Sequence, residues 1–441
     1  MKLEDMVMVS VDDHIVEPGD LFKNHLPSEW QARAPRMSKD ANGADFWIFD
    51  GKRAGAIGLN AVVGRPKEEY GCEPAALEQM RGGAYNIDHR IDDMNVNGIL
   101  SSINFPSVVG FDGSRFMQFA DPAEGLRMLQ AYNDWHIDEW CGAHPGRNIP
   151  CAIVPFWNPE EAAKEIERTA KKGARTISMC DNPTYHGLPS IHNAVYNPMW
   201  KALADNNVVI SNHIGSGSPA PHASDESPIE AWIVTMPIAI ANSAADWLNL
   251  KAIRDYNLKV CLSEGGIGWI PYFLERADFT FQQHGAWTHS SFGGMKPSEL
   301  FRKHFMTCFI DDEFGLHNVD WIGENNISYE CDYPHSDCLW PEAPERLYET
   351  IKHLPDSQID KITHENALRF FDYDAFGKLG GRENCTVGAL RAMAANVDVT
   401  PQSFGGPAPL APGVEPRPVT SGDILQMFGD VAKADGELEK A

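Results

Sequence analysis

Eight short apolar runs, each followed by a stretch with helical spacing, constrain the fold of this chain more than any other feature. The runs are MVMVSV from residue 6, ILSSINF from 99, IPCAIVPF from 149, ARTISM from 174, VVISN from 208, LKVCLS from 258, FMTCFI from 305 and NISYEC from 326. Amphipathic segments such as residues 159–173 and 197–207 lie between them. Strands that are apolar on both faces and alternate with helices are typical of a parallel sheet covered by helices. We therefore predict an α/β protein built as a (β/α)₈ TIM barrel.

The main competing fold is an open, doubly wound sheet. No GxGxxG motif follows the first strand, which argues against a dinucleotide-binding fold of that kind. A (β/α)₈ barrel typically takes about 250 residues, and this chain has 441, so the barrel has room for insertions.

Two segments depart from the repeat. Residues 19–87 separate the first strand from its helix and contain ADFWIFDGKRAGAIGL, in which Asp50-Gly51 predicts a β-hairpin. We interpret this long insertion as a flap over the barrel mouth. From residue 378 to 441 the pattern gives way to a C-terminal tail extension rich in Gly and Pro, of a kind that often packs on a neighbouring subunit or stays mobile. The barrel domain is thus predicted over residues 1–377.

Charge and composition restrict the partners. The chain has 37 Lys+Arg against 62 Asp+Glu, a net charge of −25, which disfavours nucleic acid and anionic membranes. The N-terminus lacks the pattern of a signal peptide, and no uncharged apolar stretch reaches about 18 residues. The nine cysteines form no CxxC pair. We expect a cytoplasmic protein that acts on a small molecule.

Ionisable residues end several of the predicted strands, where a TIM barrel places its active site. Asp12 and His14 end the first strand, His213 the fifth and Asp332 the eighth. Residues i and i+2 of a strand point to the same side, so Asp12 and His14 can face one point. Two imidazoles and two carboxylates suit one divalent metal ion, with Zn²⁺ preferred and Fe²⁺ or Mn²⁺ as alternatives. Such an ion lowers the pKa of a bound water.

Other interpretations of these residues remain open. A single Asp or His at a strand end is often only a cap or a loop residue. Paired carboxylates without a metal could also form an acid–base pair of the glycosidase type. His213 between them favours the metal.

Five further residues are candidates for the site. Glu264 ends the sixth strand and could act as a general base. His335 could hydrogen-bond to the ligands or the substrate, or be a packed loop histidine. His186 follows the fourth strand and could contact substrate. Trp269 and Tyr272 could wall an apolar pocket, although an aromatic pair that opens a helix is more often part of the core.

Four motifs carry a family resemblance. VDDHIVEP, NHIGSG, SEGGIGWIPYFLERAD and DYPHSDCLWP resemble the amidohydrolase-related family of metal-dependent hydrolases and decarboxylases, which includes aminocarboxymuconate semialdehyde decarboxylase. ITHENALRFFDY is similar to the last helix of that family, so the resemblance extends from residue 8 to about 371. It implies that Asp12, His14, His213 and Asp332 are the metal ligands and that the protein is a homodimer.

Three departures from the family pattern affect the expected chemistry. Asp12-x-His14 replaces the common HxH, and ARTISMCD offers no lysine that could bridge two metals. A single metal is therefore expected, with a second ion held by Glu264, Asp332 and Glu17 as the alternative. Glu264 stands where the decarboxylases of the family place a histidine, which favours hydrolysis over decarboxylation.

Three functions follow from these patterns. The leading hypothesis is a metal-dependent hydrolase. Asp332 or Glu264 would take a proton from a metal-activated water. That water would attack a C–N, C–O or thioester bond of a small carboxylated or aromatic substrate. The second is a non-oxidative decarboxylase of an aromatic or unsaturated acid. The third is a catalytically inactive, metal-bearing barrel that only binds a ligand.

Overall fold

The strands of the computed structural model, which describes residues 1–71, 74–405 and 413–427, form two sheets. Their bounds are β1 Met8–His14, β2 Arg36–Lys39, β3 Asp45–Phe49, β4 Lys52–Ala54, β5 Ile99–Phe105, β6 Asn148–Ile149, β7 Cys151–Ile153, β8 Thr176–Ser178, β9 Val209–His213, β10 Val260–Ser263, β11 Phe305–Phe309 and β12 Ile327–Tyr329. All eight predicted apolar runs contain strands of the larger, parallel sheet. That sheet has the order β6-β5-β1-β12-β11-β10-β9-β8-β7.

The two ends of this order belong to one interrupted strand. Only Pro150 separates β6, which pairs with β5, from β7, which pairs with β8. Proline has no N–H to donate and therefore breaks the ladder, while its carbonyl still accepts a hydrogen bond from the Arg175 amide at 3.0 Å. The larger sheet thus begins and ends on the third strand of the predicted barrel, and the α/β fold is the one that the sequence predicts.

Helices follow the strands of the parallel sheet. Their bounds are α1 Ile87–Val96, α2 Pro122–Trp135, α3 Cys141–Ala143, α4 Pro159–Lys172, α5 Asn197–Asp205, α6 Ile229–Thr235, α7 Ile238–Asn249, α8 Lys251–Asp255, α9 Ile270–Thr288, α10 Pro297–His304, α11 Glu313–Leu316, α12 Val319–Ile322, α13 Ala343–Ile351, α14 Asp356–Asp360, α15 Asn366–Phe370, α16 Ala375–Lys378 and α17 Val387–Met393. In α4, Asn158 caps the start, Pro159 occupies the first turn and Gly173 ends the helix at φ 112°. Across the described parts of the chain, no helix combines the length and apolar character needed to cross a membrane.

The insertion after β1 contains the smaller, antiparallel sheet. Strands β3 and β4 pair through Phe49 and Lys52, and Asp50 and Gly51 between them have positive φ values of 48° and 76°. Positive φ at both loop residues is the geometry of a two-residue hairpin turn, so the predicted hairpin is confirmed. Further along, the backbone N–H of Val63 donates to the Pro334 carbonyl at 3.0 Å. The insertion therefore contacts the loop that follows β12.

The C-terminal segment contacts both the insertion and the loop after β9. The Gln402 amide donates to the Gly64 carbonyl at 2.9 Å, within the insertion. The Ile229 amide donates to the Val419 carbonyl at 2.8 Å, and the Ser421 amide donates to the Ser227 carbonyl at 2.9 Å. The rest of the predicted tail, residues 406–412 and 428–441, lies outside the described residues.

Candidate metal centre

Neighbouring strands of the parallel sheet bring five predicted site residues to one place. Asp12 and His14 lie at the end of β1, His213 ends β9, Glu264 follows β10 directly and Asp332 follows β12. The side chains of Asp12, His14, His213 and Asp332 are buried, and that of Glu264 is 21% exposed. The register of β1 against β5 is irregular between Ser10 and Asp13, which changes the direction of the last side chains of the strand.

The donor atoms of these residues converge. The two Nε2 atoms of His14 and His213 are 3.2 Å apart. His14 Nε2 lies 3.2 Å from Asp332 Oδ1 and 3.5 Å from Asp12 Oδ1. His213 Nε2 lies 3.4 Å from Asp12 Oδ2 and 3.0 Å from Glu264 Oε2. The possible ligand atoms form two overlapping groups, in each of which all atoms lie within 4.8 Å of one another: Asp12, His14 and His213 in one, and His14, Asp332 and His335 in the other. Both groups contain His14, which marks the candidate position of an ion.

Hydrogen bonding indicates that this point suits a cation. Both carboxylate oxygens of Asp12 and both of Asp332 are buried, and none has a hydrogen-bond partner among the described residues. Leaving charged oxygens buried and unpartnered is costly, whereas a divalent ion would satisfy them. The mixed N and O donor set matches Zn²⁺, Fe²⁺ or Mn²⁺. The residues present therefore fit a metal ion, which Asp12, His14, His213 and Asp332 would hold.

A backbone carbonyl on the side away from the centre fixes the orientation of the His213 ring. Its Nδ1 lies 2.6 Å from the carbonyl oxygen of Ile214, so Nδ1 carries the proton and donates while Nε2 faces the centre. The ring of Phe111, in the loop after β5, lies 4.3 Å from the His213 ring and 5.1 Å from the His14 ring, centroid to centroid. Phe111 shields the centre from water on this side. No periodic pattern in the sequence marks this loop residue, so Phe111 was not among the predicted site residues.

The surroundings shift the pKa values of the two histidines in opposite directions. Burial, aided by the nearby His335 and His213, lowers the pKa of His14 well below its usual value, so His14 is neutral and available as a ligand. Burial also opposes charge on His213, but the carboxylates of Asp12 and Glu264 outweigh it and raise the pKa of His213 well above its usual value. Burial raises the pKa of Asp12 to about 7, with Glu264 and Asp332 adding to the rise.

Two of the carboxylate residues have an uncommon backbone conformation. Glu264 has a φ of 58° and Asp332 a φ of 57°, both in the left-handed region. For residues other than glycine this conformation costs about 1–2 kcal/mol each. The surrounding structure therefore holds both side chains in place against a local conformational preference.

His335 contacts the centre through Asp332. Its Nδ1 lies 2.9 Å from Asp332 Oδ1, and its ring stacks on that of His14 with centroids 3.9 Å apart. Burial lowers the pKa of His335, but the Asp332 carboxylate more than compensates, so the net pKa is raised. His335 therefore lies within ion-pair distance of Asp332, but the two do not meet hydrogen-bond geometry, and the hydrogen-bonding role of His335 stays a prediction.

A cavity of 380 Å³ opens beside Glu264. Glu330, which the sequence analysis missed, lies in its wall and accepts a hydrogen bond from the Glu264 amide at 3.0 Å. The thiol of Cys308 donates to the same Glu330 oxygen at 2.6 Å. Burial, and then the nearby Asp12, raise the pKa of Glu330 well above its usual value. Glu330 lies two residues before Asp332, a spacing that could have identified it from the sequence.

Three predicted residues lie elsewhere than expected. The His186 Nε2 lies 3.2 Å from Asp112 Oδ2, within a separate group formed with Cys180. The indole N–H of Trp269 donates to the Gly265 carbonyl at 2.9 Å, so this hydrogen bond stabilises the turn before α9. Tyr272 is 73% exposed. Because Ile270 and Leu274 form the buried face of α9, Tyr272 points away from it, and the predicted aromatic wall is wrong for this residue.

The predicted second-metal role of Glu17 is also corrected. Its two carboxylate oxygens accept hydrogen bonds from the backbone amides of Ser107 and Val108, both at 2.9 Å. Among the described residues, Glu17 belongs to no group of side chains that could jointly hold an ion. It ties the start of the insertion to the loop after β5, which carries Phe111.

Comparison with known proteins places the chain within a family. The sequence model of the amidohydrolase family matches residues 79–373. The chain therefore belongs to the amidohydrolase family, which confirms the resemblance found in its motifs. A curated relative is the gamma-resorcylate decarboxylase of Rhizobium sp. (strain MTP-10005), 23% identical over 357 residues that cover 70% of this chain and 97% of the relative.

Solved structures share the fold. An amidohydrolase from Mycobacterium avium subsp. paratuberculosis has a TM-score of 0.62 and 19% identity, covering 83% of this chain and 99% of its own. A 5-carboxyvanillate decarboxylase from Novosphingobium aromaticivorans has a TM-score of 0.58 and 15% identity, covering 84% of this chain and 99% of its own. The latter structure is a complex with manganese and 4-hydroxy-3-methoxy-5-nitrobenzoic acid.

Proposed function

We propose that this protein is a metal-dependent carboxy-lyase that removes CO₂ from an aromatic or unsaturated acid without oxidation. This reverses the order of the two enzyme hypotheses drawn from the sequence. The curated relative named above is a gamma-resorcylate decarboxylase, and one of the similar structures is a 5-carboxyvanillate decarboxylase with bound manganese. Both support the decarboxylase hypothesis over the hydrolase.

The pairing of Asp332 with His335 at the centre carries this proposal. Decarboxylation needs a proton at the carbon that bears the carboxylate, and Asp332 lies 2.9 Å from the imidazole of His335. His335 can pass a proton to Asp332, which donates it to that carbon. The bond from the carbon to the carboxylate then breaks, its electron pair stays with the carbon, and CO₂ leaves. No water is consumed.

The other residues position and shield the substrate. Asp12, His14, His213 and Asp332 would hold a divalent metal, which would supply a Lewis acid for the substrate carboxylate. Phe111 covers the rings of both histidines and keeps water from that side. Glu264 Oε2, at 3.0 Å from His213 Nε2, lies at the side of the centre that faces the cavity. Mn²⁺ and Zn²⁺ are the ions we would test first, since both accept this donor set.

One observation favours hydrolysis as a second candidate. Glu264 is partly exposed to the cavity and lies beside the centre, where a carboxylate could take a proton from a water molecule. In that reaction the water oxygen would become part of the product.

Isotope incorporation tests the two candidates directly. The protein loaded with Mn²⁺ is incubated with hydroxylated benzoates and cinnamates, and with their esters and anilides, in D₂O or H₂¹⁸O. Decarboxylation places one deuterium on the carbon that lost CO₂ and no ¹⁸O in the product. Hydrolysis places ¹⁸O in the released acid and no deuterium on carbon.

Matched variants complete the test. Asp332→Asn keeps the size of the side chain but cannot deliver the proton, and we expect product formation to fall by at least about 100-fold. Glu264→Gln should keep most of the decarboxylation and abolish any hydrolysis. Product with ¹⁸O that depends on Glu264 would show that the hydrolase hypothesis is right and the decarboxylase proposal wrong.

A further inference from the structure

The cavity beside Glu264 has a chemistry that constrains the substrate. We infer that this cavity receives the part of the substrate remote from the reacting carboxylate, and that it selects a neutral hydrogen-bond donor or a cationic group there and rejects a second carboxylate. The inference rests on the proposed function, because it takes the reacting carboxylate to lie at the metal centre.

The walls of the cavity combine apolar and acidic side chains. Its apolar lining includes Ile214, Ile233, Met236, Pro237, Phe309 and Leu339. Its acidic lining is Glu264, Glu330, Asp337 and Asp311. At 380 Å³ it lies within the range of about 300–1,000 Å³ that is usual for small-molecule sites. An aromatic ring with one polar substituent matches walls of this composition.

The acidic groups lack cationic partners inside the cavity. No Lys, Arg or His belongs to the described residues that line it. Glu264 and Asp311 are compensated from outside the lining, since His213 Nε2 lies 3.0 Å from Glu264 Oε2 and Arg346 donates to Asp311 at 2.7 Å. Asp337 forms no ion pair or hydrogen bond with any residue that the structure describes, and it is exposed. Asp337 is therefore the carboxylate that a substituent of the substrate meets without a competing partner.

Charge then decides which substituent binds. A hydroxyl or amine can donate a hydrogen bond to Asp337, and a protonated amine also gains Coulomb attraction. A carboxylate can donate nothing at neutral pH and is repelled by Asp337. Near a protein surface, where the effective dielectric constant is well below that of water, this repulsion should cost at least about tenfold in affinity.

Four benzoates that differ only at the meta position provide the test. Dissociation constants of benzoate, 3-hydroxybenzoate, 3-(aminomethyl)benzoate and isophthalate are measured by calorimetry on the Mn²⁺-loaded protein, at a pH of about 7.5. We expect isophthalate to bind at least about tenfold more weakly than 3-hydroxybenzoate, and 3-(aminomethyl)benzoate to bind at least as tightly as 3-hydroxybenzoate. Isophthalate that binds as tightly as 3-hydroxybenzoate would overturn the inference.

Two variants with the same change in net charge locate the effect. Asp337→Asn should reduce the difference between isophthalate and 3-hydroxybenzoate by at least about threefold, with the metal content unchanged. Asp320→Asn removes an exposed carboxylate in α12 that does not line the cavity, and it should leave the difference unchanged. An equal effect of both variants would mean that long-range charge, and not the cavity, sets the preference.

The same data separate this inference from the proposed function. If all four acids bind only in the presence of metal but without the expected order, the cavity inference fails and the carboxylate-binding centre stands. If none of the four binds in a metal-dependent way, the placement of a substrate carboxylate at the metal is wrong, and both proposals fall.

Discussion

Removing the metal should lower the thermal stability of the protein by an amount that can be worked out in advance. An ion that binds only the folded state at a thousandfold excess over its dissociation constant stabilises that state by about 4.1 kcal/mol. A chain of 441 residues has an unfolding entropy of about 0.9 kcal/mol/K near its midpoint. The melting temperature should therefore rise by about 4 °C between chelator-treated and Mn²⁺-saturated protein. The 12 tryptophans make intrinsic fluorescence a suitable assay.

The size of this rise should depend on pH in a defined direction. In the metal-free protein the pKa of Asp12 is raised to about 7 and that of His213 lies well above its usual value, so both groups carry protons in mildly acidic solution. A metal ion must displace those protons. Below pH about 7, each displaced proton weakens metal binding by about 1.4 kcal/mol per pH unit. The rise in melting temperature should thus be smaller at pH 6 than at pH 8 for the same concentration of metal.

A matched variant identifies the source of the effect. His213→Ala removes one donor and the site of one displaced proton, so its melting temperature should respond weakly to Mn²⁺ at either pH. An equal response of the variant and the parent protein would refute the assignment of this centre, as would a parent protein that melts at the same temperature with and without metal.

Three further predictions concern single elements. Asp332→Ala should weaken metal binding by at least about 100-fold, measured by competition with a chelating dye, and an unchanged affinity would remove Asp332 from the centre. Because burial raises the pKa of Glu17 to about 7, the free energy of unfolding should fall by about 3 kcal/mol as pH rises from about 4.5 to 7. Glu17→Gln should flatten this dependence in urea titrations without changing metal content, and an equal slope in both proteins would contradict the assignment. A chain that ends at residue 395 loses the backbone hydrogen bonds that join Val419 and Ser421 to residues 227–229. Limited proteolysis should therefore cut residues 218–237 faster in this shortened chain, while the metal content stays the same. An unchanged cleavage rate would show that the C-terminal segment does not restrain this loop.

Most of the barrel could be predicted because its strands are buried on both faces. Such strands appear as continuous apolar runs, and all eight runs contain strands. The convergence of Asp12, His14, His213 and Asp332 was also predictable, since it depends only on strand ends and on the i, i+2 spacing of side chains. The break at Pro150 depends on which strands pair, which no single segment of the sequence specifies.

The residues that the sequence analysis missed or misplaced depend on loop conformation and helix register. Phe111 and Asp337 reach the site from loops without periodicity. Tyr272 was misplaced because its distance from the strand end is short, whereas its direction is set by the buried face of α9. Proximity in sequence to a functional residue therefore does not establish contact in the fold.

The positive φ values of Glu264 and Asp332 have a consequence for the evolution of the protein. At both positions glycine would fit the backbone better than the residue present, by about 1 kcal/mol. In the metal-free protein, replacement of either carboxylate with glycine should thus raise stability while removing the centre. Selection for thermal stability in the absence of metal would favour such variants, whereas selection with metal present would oppose them, because the bound ion contributes more than the glycine.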